Sequence, residues 1–212
     1  MSAAQEVHVV DCGTNNLASV CNALRTAGAT PAVVRTPEAL GRADRIVLPG
    51  VGSAAHAVDH LRSSGMAEAL TERVRHQGRP LLAICVGMQV LAERVFEHGD
   101  RPGLSWIEGQ VRPLRESVPA SVRIPHMGWS SVTPAPGMAA SLGRYRGAPA
   151  YFFCHSYALV TPRRDAVAAT VDLEAEVVAA LRFETVLGTQ FHPERSHTNG
   201  LRLLESFLDW TP

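Results

Sequence analysis

The chain has 212 residues, 46% of them hydrophobic and 19% charged, and at roughly 100–200 residues per domain this is expected to be one domain with ample apolar material for a core. Its 20 basic residues balance its 20 acidic ones, so no charge excess favours a nucleic-acid backbone and none is expected as a partner. Every basic residue is an arginine, which excludes a Schiff-base lysine and the phosphate-binding lysine of a P-loop.

The first residues, Met-Ser-Ala-Ala-Gln-Glu, carry no basic region followed by an apolar stretch and do not read as a secretory signal. A strand is predicted over residues 7–11, then a helix over 16–27 with apolar Leu17, Val20, Cys21 and Leu24 at helical spacing and Gly28 closing it. A strand over 31–35, a short helix near 37–40 and a strand over 45–48 follow, the last running into Pro49-Gly50-Val51-Gly52. Helices over 54–62 and 66–76 lead to a strand over 81–84 and a helix from about 87 to 96. Beyond Gly99 the runs shorten and Pro and Gly turns multiply, with strands expected over 110–114, 129–133, 151–160, 167–172 and 177–183. A strand over 186–191 and an amphipathic helix from about 199 to 210 end the chain. The alternation of strands and helices implies an α/β fold, an open and largely parallel sheet with flanking helices and a partly antiparallel extension in the second half. No repeat, linker or low-complexity tract divides residues 1–212.

The longest apolar tract, residues 80–91, is broken by Gly87 and Gln89 and falls short of the ~18 residues a membrane span needs. No membrane partner is expected. Cys12, Cys21, Cys85 and Cys154 show no CxxC spacing, which suits a reducing, cytoplasmic setting.

Three segments carry chemistry. Leu81-Leu82-Ala83-Ile84-Cys85-Val86-Gly87 is an apolar strand ending at a thiol, with a glycine two positions on and a helix to follow. That is the pattern of a nucleophile elbow, although Ala83 stands where glycine is usual. A thiol at a helix N-terminus has its thiolate favoured, and the N–H of Val86 would point to a developing oxyanion. The other reading is a core cysteine in a buried strand. In Gln190-Phe191-His192-Pro193-Glu194 a histidine past a strand end, a rigid proline and a carboxylate can supply a base and its orienter, or simply a polar loop. Pro49-Gly50-Val51-Gly52 follows a strand, and its glycines admit close approach of backbone N–H groups to a ligand, or form an ordinary turn before a helix. All three lie at carboxyl ends of strands, where open α/β sheets hold their sites.

At these residues the chain resembles the triad glutamine amidotransferases, and among them the branch of glutaminase subunits that serve imidazole glycerol phosphate synthases. Pro49-Gly50-Val51-Gly52 and Pro125-His126-Met127-Gly128-Trp129 resemble that branch, as do His155-Ser156-Tyr157 and the Arg195-Ser196 that follows Glu194. The resemblance implies a Cys85–His192–Glu194 triad, oxyanion N–H groups from Val51 and Val86, and a glutamine site near Gly50, Gly52, Gln89, His155, Ser156 and Tyr157. It implies a partner surface at Asn16, Trp129 and Arg195, and a (β/α)8 cyclase subunit that receives ammonia in histidine biosynthesis. No cofactor or metal is implied. Departures from the family pattern fall at Cys12, at Asn15, where a left-handed conformation is admissible, and at Ser130, Phe152 and Arg195, where Asn, Tyr and Lys are common.

Two other readings stay open. The same residues suit a glutaminase that serves another amidating synthase, for example in sugar modification, or a silent subunit that only stabilises its partner. A stress-type cysteine hydrolase would carry His after the Cys, and Val86 stands there. His56 and His60 have the spacing of a metal pair without a third ligand and read as a solvated helix face.

Overall fold

The structure is a computed structural model that describes residues 5–13, 16–143 and 147–212. In chain order it comprises β1 (Glu6–Val10), α1 (Leu17–Thr26), β2 (Thr30–Val34), α2 (Pro37–Leu40), β3 (Ile46–Gly50), α3 (Ala54–Ser63) and α4 (Met66–Leu70). Then come β4 (Leu81–Cys85), α5 (Val86–Gln89), β5 (Ala92–Val95), β6 (Arg101–Pro102), β7 (Ile107–Pro113) and β8 (His126–Pro134). The rest is β9 (Ala150–His155), β10 (Tyr157–Val160), β11 (Val167–Asp172), β12 (Glu176–Phe183), β13 (Val186–Thr189) and α6 (His197–Asp209).

Nine strands form one sheet in the order β2-β1-β3-β4-β13-β12-β11-β8-β9. The first five run parallel, and from β12 to β9 each neighbour is antiparallel. A strand covered by helices on both faces must be apolar throughout rather than alternating, and β3, β4 and β13 are buried along their whole length. The helices turn apolar stripes onto the sheet, α1 through Val20, Cys21 and Leu24 and α6 through Leu203, Leu204 and Phe207. The Ser53 hydroxyl starts α3 by accepting from the His56 N–H at 3.2 Å, as an N-cap does. A second sheet, β10-β7-β5-β6, packs beside the first.

The structure departs most from the predicted elements in three places. The helix expected over 87–96 lasts one turn, and residues Ala92–Val95 pair as β5 with β7 and β6. Leu-Ala-Glu-Arg favours a helix locally, but pairing with Ile107, Gln110 and Val111, which buries Ala92 and Val95, overrides that weak preference. The strand expected over 151–160 breaks at Ser156, so that β9 lies in the large sheet and β10 in the small one. The helix expected over 66–76 passes from α4 into a π-helical stretch, Thr71–His76, that keeps Val74 buried.

The turn from β4 into α5 leaves no room for a side chain at position 87, where a Cβ would lie 1.9 Å from the Leu48 carbonyl oxygen of β3. Gly87→Ala should therefore destabilise the chain by about 1–3 kcal/mol, read as a lower urea midpoint at unchanged slope; an unchanged midpoint would show that β3 and α5 do not meet so closely.

Candidate active site

Parallel neighbours bring their carboxyl ends to one edge of the sheet, and there the three predicted segments meet. Gly50 and Cys85 are register partners across β3 and β4, and Gly188 and Thr189 of β13 pair with Ala83 and Ile84. Cys85 adopts φ 53° and ψ −108°, a conformation that costs a residue with a side chain about 1–3 kcal/mol. It turns the chain from strand to helix within one residue.

A cavity of about 250 Å³ opens at this elbow, with Val51, Gly52, Cys85, Val86 and Gln89 on one side. His155, Ser156 and Tyr157, where the chain crosses between sheets, also line it, together with His192 and Arg195. Every expected glutamine-site residue except Gly50, which pairs behind Cys85, borders this space.

His192 is held from both sides. Its backbone N–H donates to the Phe152 carbonyl at 2.9 Å, and its carbonyl accepts from the Ser196 hydroxyl at 2.6 Å. The 3-10 turn Pro193–Arg195 swings Glu194 back, so that Oε1 meets His192 Nδ1 at 2.8 Å. Nδ1 is thereby occupied, which leaves Nε2 as the nitrogen available to Cys85, whose charge acts on the ring. Burial pulls the imidazole pKa down, but hydrogen bonds and charge from Cys85 and Glu194 outweigh it and push the value up to about 10.

Asn16, expected at the partner surface, is half-buried and turns inward, donating from Nδ2 to Glu194 Oε1 at 2.5 Å. Asn15 lies outside the described residues. Trp129 is 48% and Met127 62% exposed. The Trp129 ring stacks on His197 at 5.0 Å and meets Phe152 edge-on, while the Arg195 guanidinium lies over Phe152. Arg195 thus joins the cavity to an exposed apolar patch. His56 is exposed, and His60 packs against Gly13.

Two buried polar residues escaped the sequence reading. Gln190, fully buried, donates from Nε2 to the Cys85 sulfur at 3.5 Å. An amide just past an apolar strand was the signal for it. Glu97 accepts from the Ser53 hydroxyl and the Ala55 N–H at 2.9 and 3.2 Å, buttressing the start of α3 beyond Gly52; in sequence it looks like part of an exposed turn.

An elbow cysteine, a buried imidazole and a carboxylate behind it, at the carboxyl ends of the parallel strands of an α/β sheet, form a candidate centre for covalent thiol catalysis. The chain belongs to the class-I glutamine amidotransferase family, whose profile matches residues 8–210. It is 41% identical to imidazole glycerol phosphate synthase subunit HisH of Zymomonas mobilis, over 99% of this chain and 98% of that one. It is 40% identical to the subunit of the same name from Caulobacter vibrioides, over 98% of this chain and all of the relative. In fold it is similar to the structure of PurLQS from Thermotoga maritima, with a TM-score of 0.77 at 16% identity over 98% and 99% of the two chains. Among the described residues no helix is long and apolar enough to cross a membrane.

The raised His192 pKa makes its proton a stabilising ligand of the fold. Its contribution is complete below the unfolded value of about 6.5 and is lost as pH rises through about 10. Glu194→Gln should therefore be less stable than the wild type near pH 6, with the two urea midpoints converging toward pH 10; a gap independent of pH would show that Glu194 does not hold the imidazolium.

Proposed function

We propose that this chain is the glutaminase subunit of an imidazole glycerol phosphate synthase, one glutamine amidotransferase domain over residues 1–212 acting in histidine biosynthesis in the cytoplasm. The observation that carries the reading is the Cys85–His192–Glu194 arrangement in a chain about 40% identical to such subunits along nearly its whole length.

In this reading L-glutamine occupies the cavity with its γ-carboxamide over Cys85. The thiolate attacks the amide carbon, and the tetrahedral oxyanion takes hydrogen bonds from the N–H groups of Val51 and Val86. His192 Nε2–H delivers its proton to the leaving nitrogen, so that ammonia departs and a γ-glutamyl thioester remains. Neutral His192 then accepts a proton from water as the water attacks the thioester, and collapse expels the Cys85 thiolate and glutamate. Glutamine and water become glutamate and ammonia. Glu194 keeps the ring oriented and stabilises its charged form. No step calls for a cofactor.

Ammonia released into bulk water would be protonated and lose its nucleophilicity, so the acceptor site belongs on a docked partner, a (β/α)8 cyclase subunit. The patch of Met127, Trp129 and Arg195 beside the cavity is the proposed seat for that partner, with an exposed aromatic as its anchor. Gly52, at φ +87° with nothing within 4 Å of an added Cβ, lets the 49–52 loop change its peptide orientation cheaply, so docking can select the arrangement that aims the Val51 N–H at the oxyanion.

Cys85→Ala should abolish glutamine-dependent synthesis by the complex while ammonia-dependent synthesis persists; glutamate release by that variant would refute the assignment. Glutamate release by the chain alone should rise about 10²–10³-fold on adding the cyclase subunit, the scale of one oxyanion donor. Full activity without the partner would refute gating by docking. Trp129→Ala should weaken docking by about 2 kcal/mol or more, measured by calorimetric titration with the cyclase subunit.

A further inference from the structure

The Tyr157 carbonyl sits between two side chains that reach it from different elements. His155 Nδ1 lies 2.9 Å from it and Gln89 Nε2 also 2.9 Å. A carbonyl oxygen only accepts, so both neighbours must donate, and that single fact orients every other group in contact with them.

On one branch, Gln89 Nε2 turns its second N–H to Gln190 Oε1 at 3.0 Å. The other end of the Gln190 amide is then the NH2, which faces the Cys85 sulfur. On the other branch, a neutral His155 with its proton on Nδ1 has a lone pair on Nε2. The group 3.0 Å from that lone pair is His126 Nδ1, which must carry a proton. His126 Nε2 in turn accepts from the Ser130 hydroxyl at 2.9 Å. His126 and His155 are register partners across β8 and β9, so the pair is built into the sheet. His155 faces His126 and, more distantly, His192, and burial pulls its pKa down to about 4; burial lowers that of His126 as well. Burial thus holds both rings toward the neutral form, and with both neutral the donors alternate along the chain.

We infer that Gln190 is a positioning residue for the Cys85 thiolate, its N–H aimed at the sulfur through Gln89 from the Tyr157 carbonyl, an anchor that the branch through His155 and His126 to Ser130 holds in place. Gln190 is fully buried and does not line the cavity; it acts through Cys85 rather than on substrate. An N–H aimed at sulfur favours the thiolate over the thiol, because the charged form accepts the stronger hydrogen bond. The same chain fixes the wall formed by Ser156 and Tyr157, so sulfur and substrate wall share one anchor. This rests on the reading of Cys85 as the nucleophile.

The test follows alkylation of Cys85 by iodoacetamide against pH in the full chain, with peptide mapping to separate it from the other three cysteines. Gln190→Met, similar in shape but without donors, should move the alkylation midpoint upward and slow the reaction at neutral pH about tenfold, the scale of one hydrogen bond to a charged group. A side chain that only fills space would leave the midpoint where it was. Two measurements on the wild type need no variant. The Gln190 side-chain amide resonances should shift as Cys85 titrates, and ring ¹⁵N shifts should report neutral His126 and His155 with the proton on Nδ1. An unmoved midpoint in Gln190→Met, a Gln190 amide blind to the Cys85 titration, or His155 protonated on Nε2 would each overturn the inference. Absence of glutamate release by the wild-type complex would instead overturn the proposed function and leave these thiol and ring readouts standing.

Discussion

The candidate site depends on one tight place, the contact between β3 and the turn that leaves β4. Because position 87 has no Cβ, the backbone of α5 closes onto the Leu48 carbonyl, and Cys85 just before it is held in a left-handed conformation that it would not adopt alone. The strain of about 1–3 kcal/mol is offset by strands on both sides that are buried throughout. Their parallel direction also puts the 49–52 loop, the thiol and the chain leading to His192 at the same edge. Loosening that contact would displace the thiol and the proposed oxyanion loop together, since one packing event places both.

On this frame the site gathers charge in a place poor in water. A buried imidazolium beside a thiol is unfavourable unless each of its N–H groups finds an acceptor. His192 finds Glu194 at Nδ1 and the charge of Cys85 beside the ring, and the net pull overcomes burial. Asn16 then holds the carboxylate from α1, so the first helix of the chain orients a group close to its end. The amide of Gln190 supplies the sulfur with a second donor. The environment thus favours the imidazolium over the neutral ring.

The second sheet gives the cavity its far wall. Ser156 marks the crossing from β9 to β10, and at such a crossing the peptide groups lose their ladder partners and become free to meet side chains or a substrate. Tyr157 uses its carbonyl for His155 and Gln89. Antiparallel pairing of β8 with β9 sets Met127 and Trp129 outward and His126 inward, so one strand carries both an exposed patch and a buried imidazole pair. Arg195, which lines the cavity and lies over Phe152 beside Trp129, brings that patch next to the cavity.

What the amino-acid order determined by itself was local. Uninterrupted apolar runs before Gly50 and Cys85 named the central parallel strands, because only strands covered on both faces are apolar throughout. Glycine and proline punctuation located the loops, and each of the three chemical segments lay directly beyond such a run. The rest was decided by contacts between residues far apart in the chain. Nothing near Asn16 signals that its amide meets Glu194, 178 residues away. Ala92–Val95 reads as helix until β7 offers it a pairing edge. The break at Ser156 appears only when two sheets compete for one run of residues, and Gln190 looks like one more polar residue until Gln89 and the Tyr157 carbonyl orient it. Backbone preference and hydrophobic pattern act over a few residues, whereas strand pairing and buried hydrogen bonds depend on which distant groups the fold brings within 3 Å of one another; only the tertiary structure could decide those.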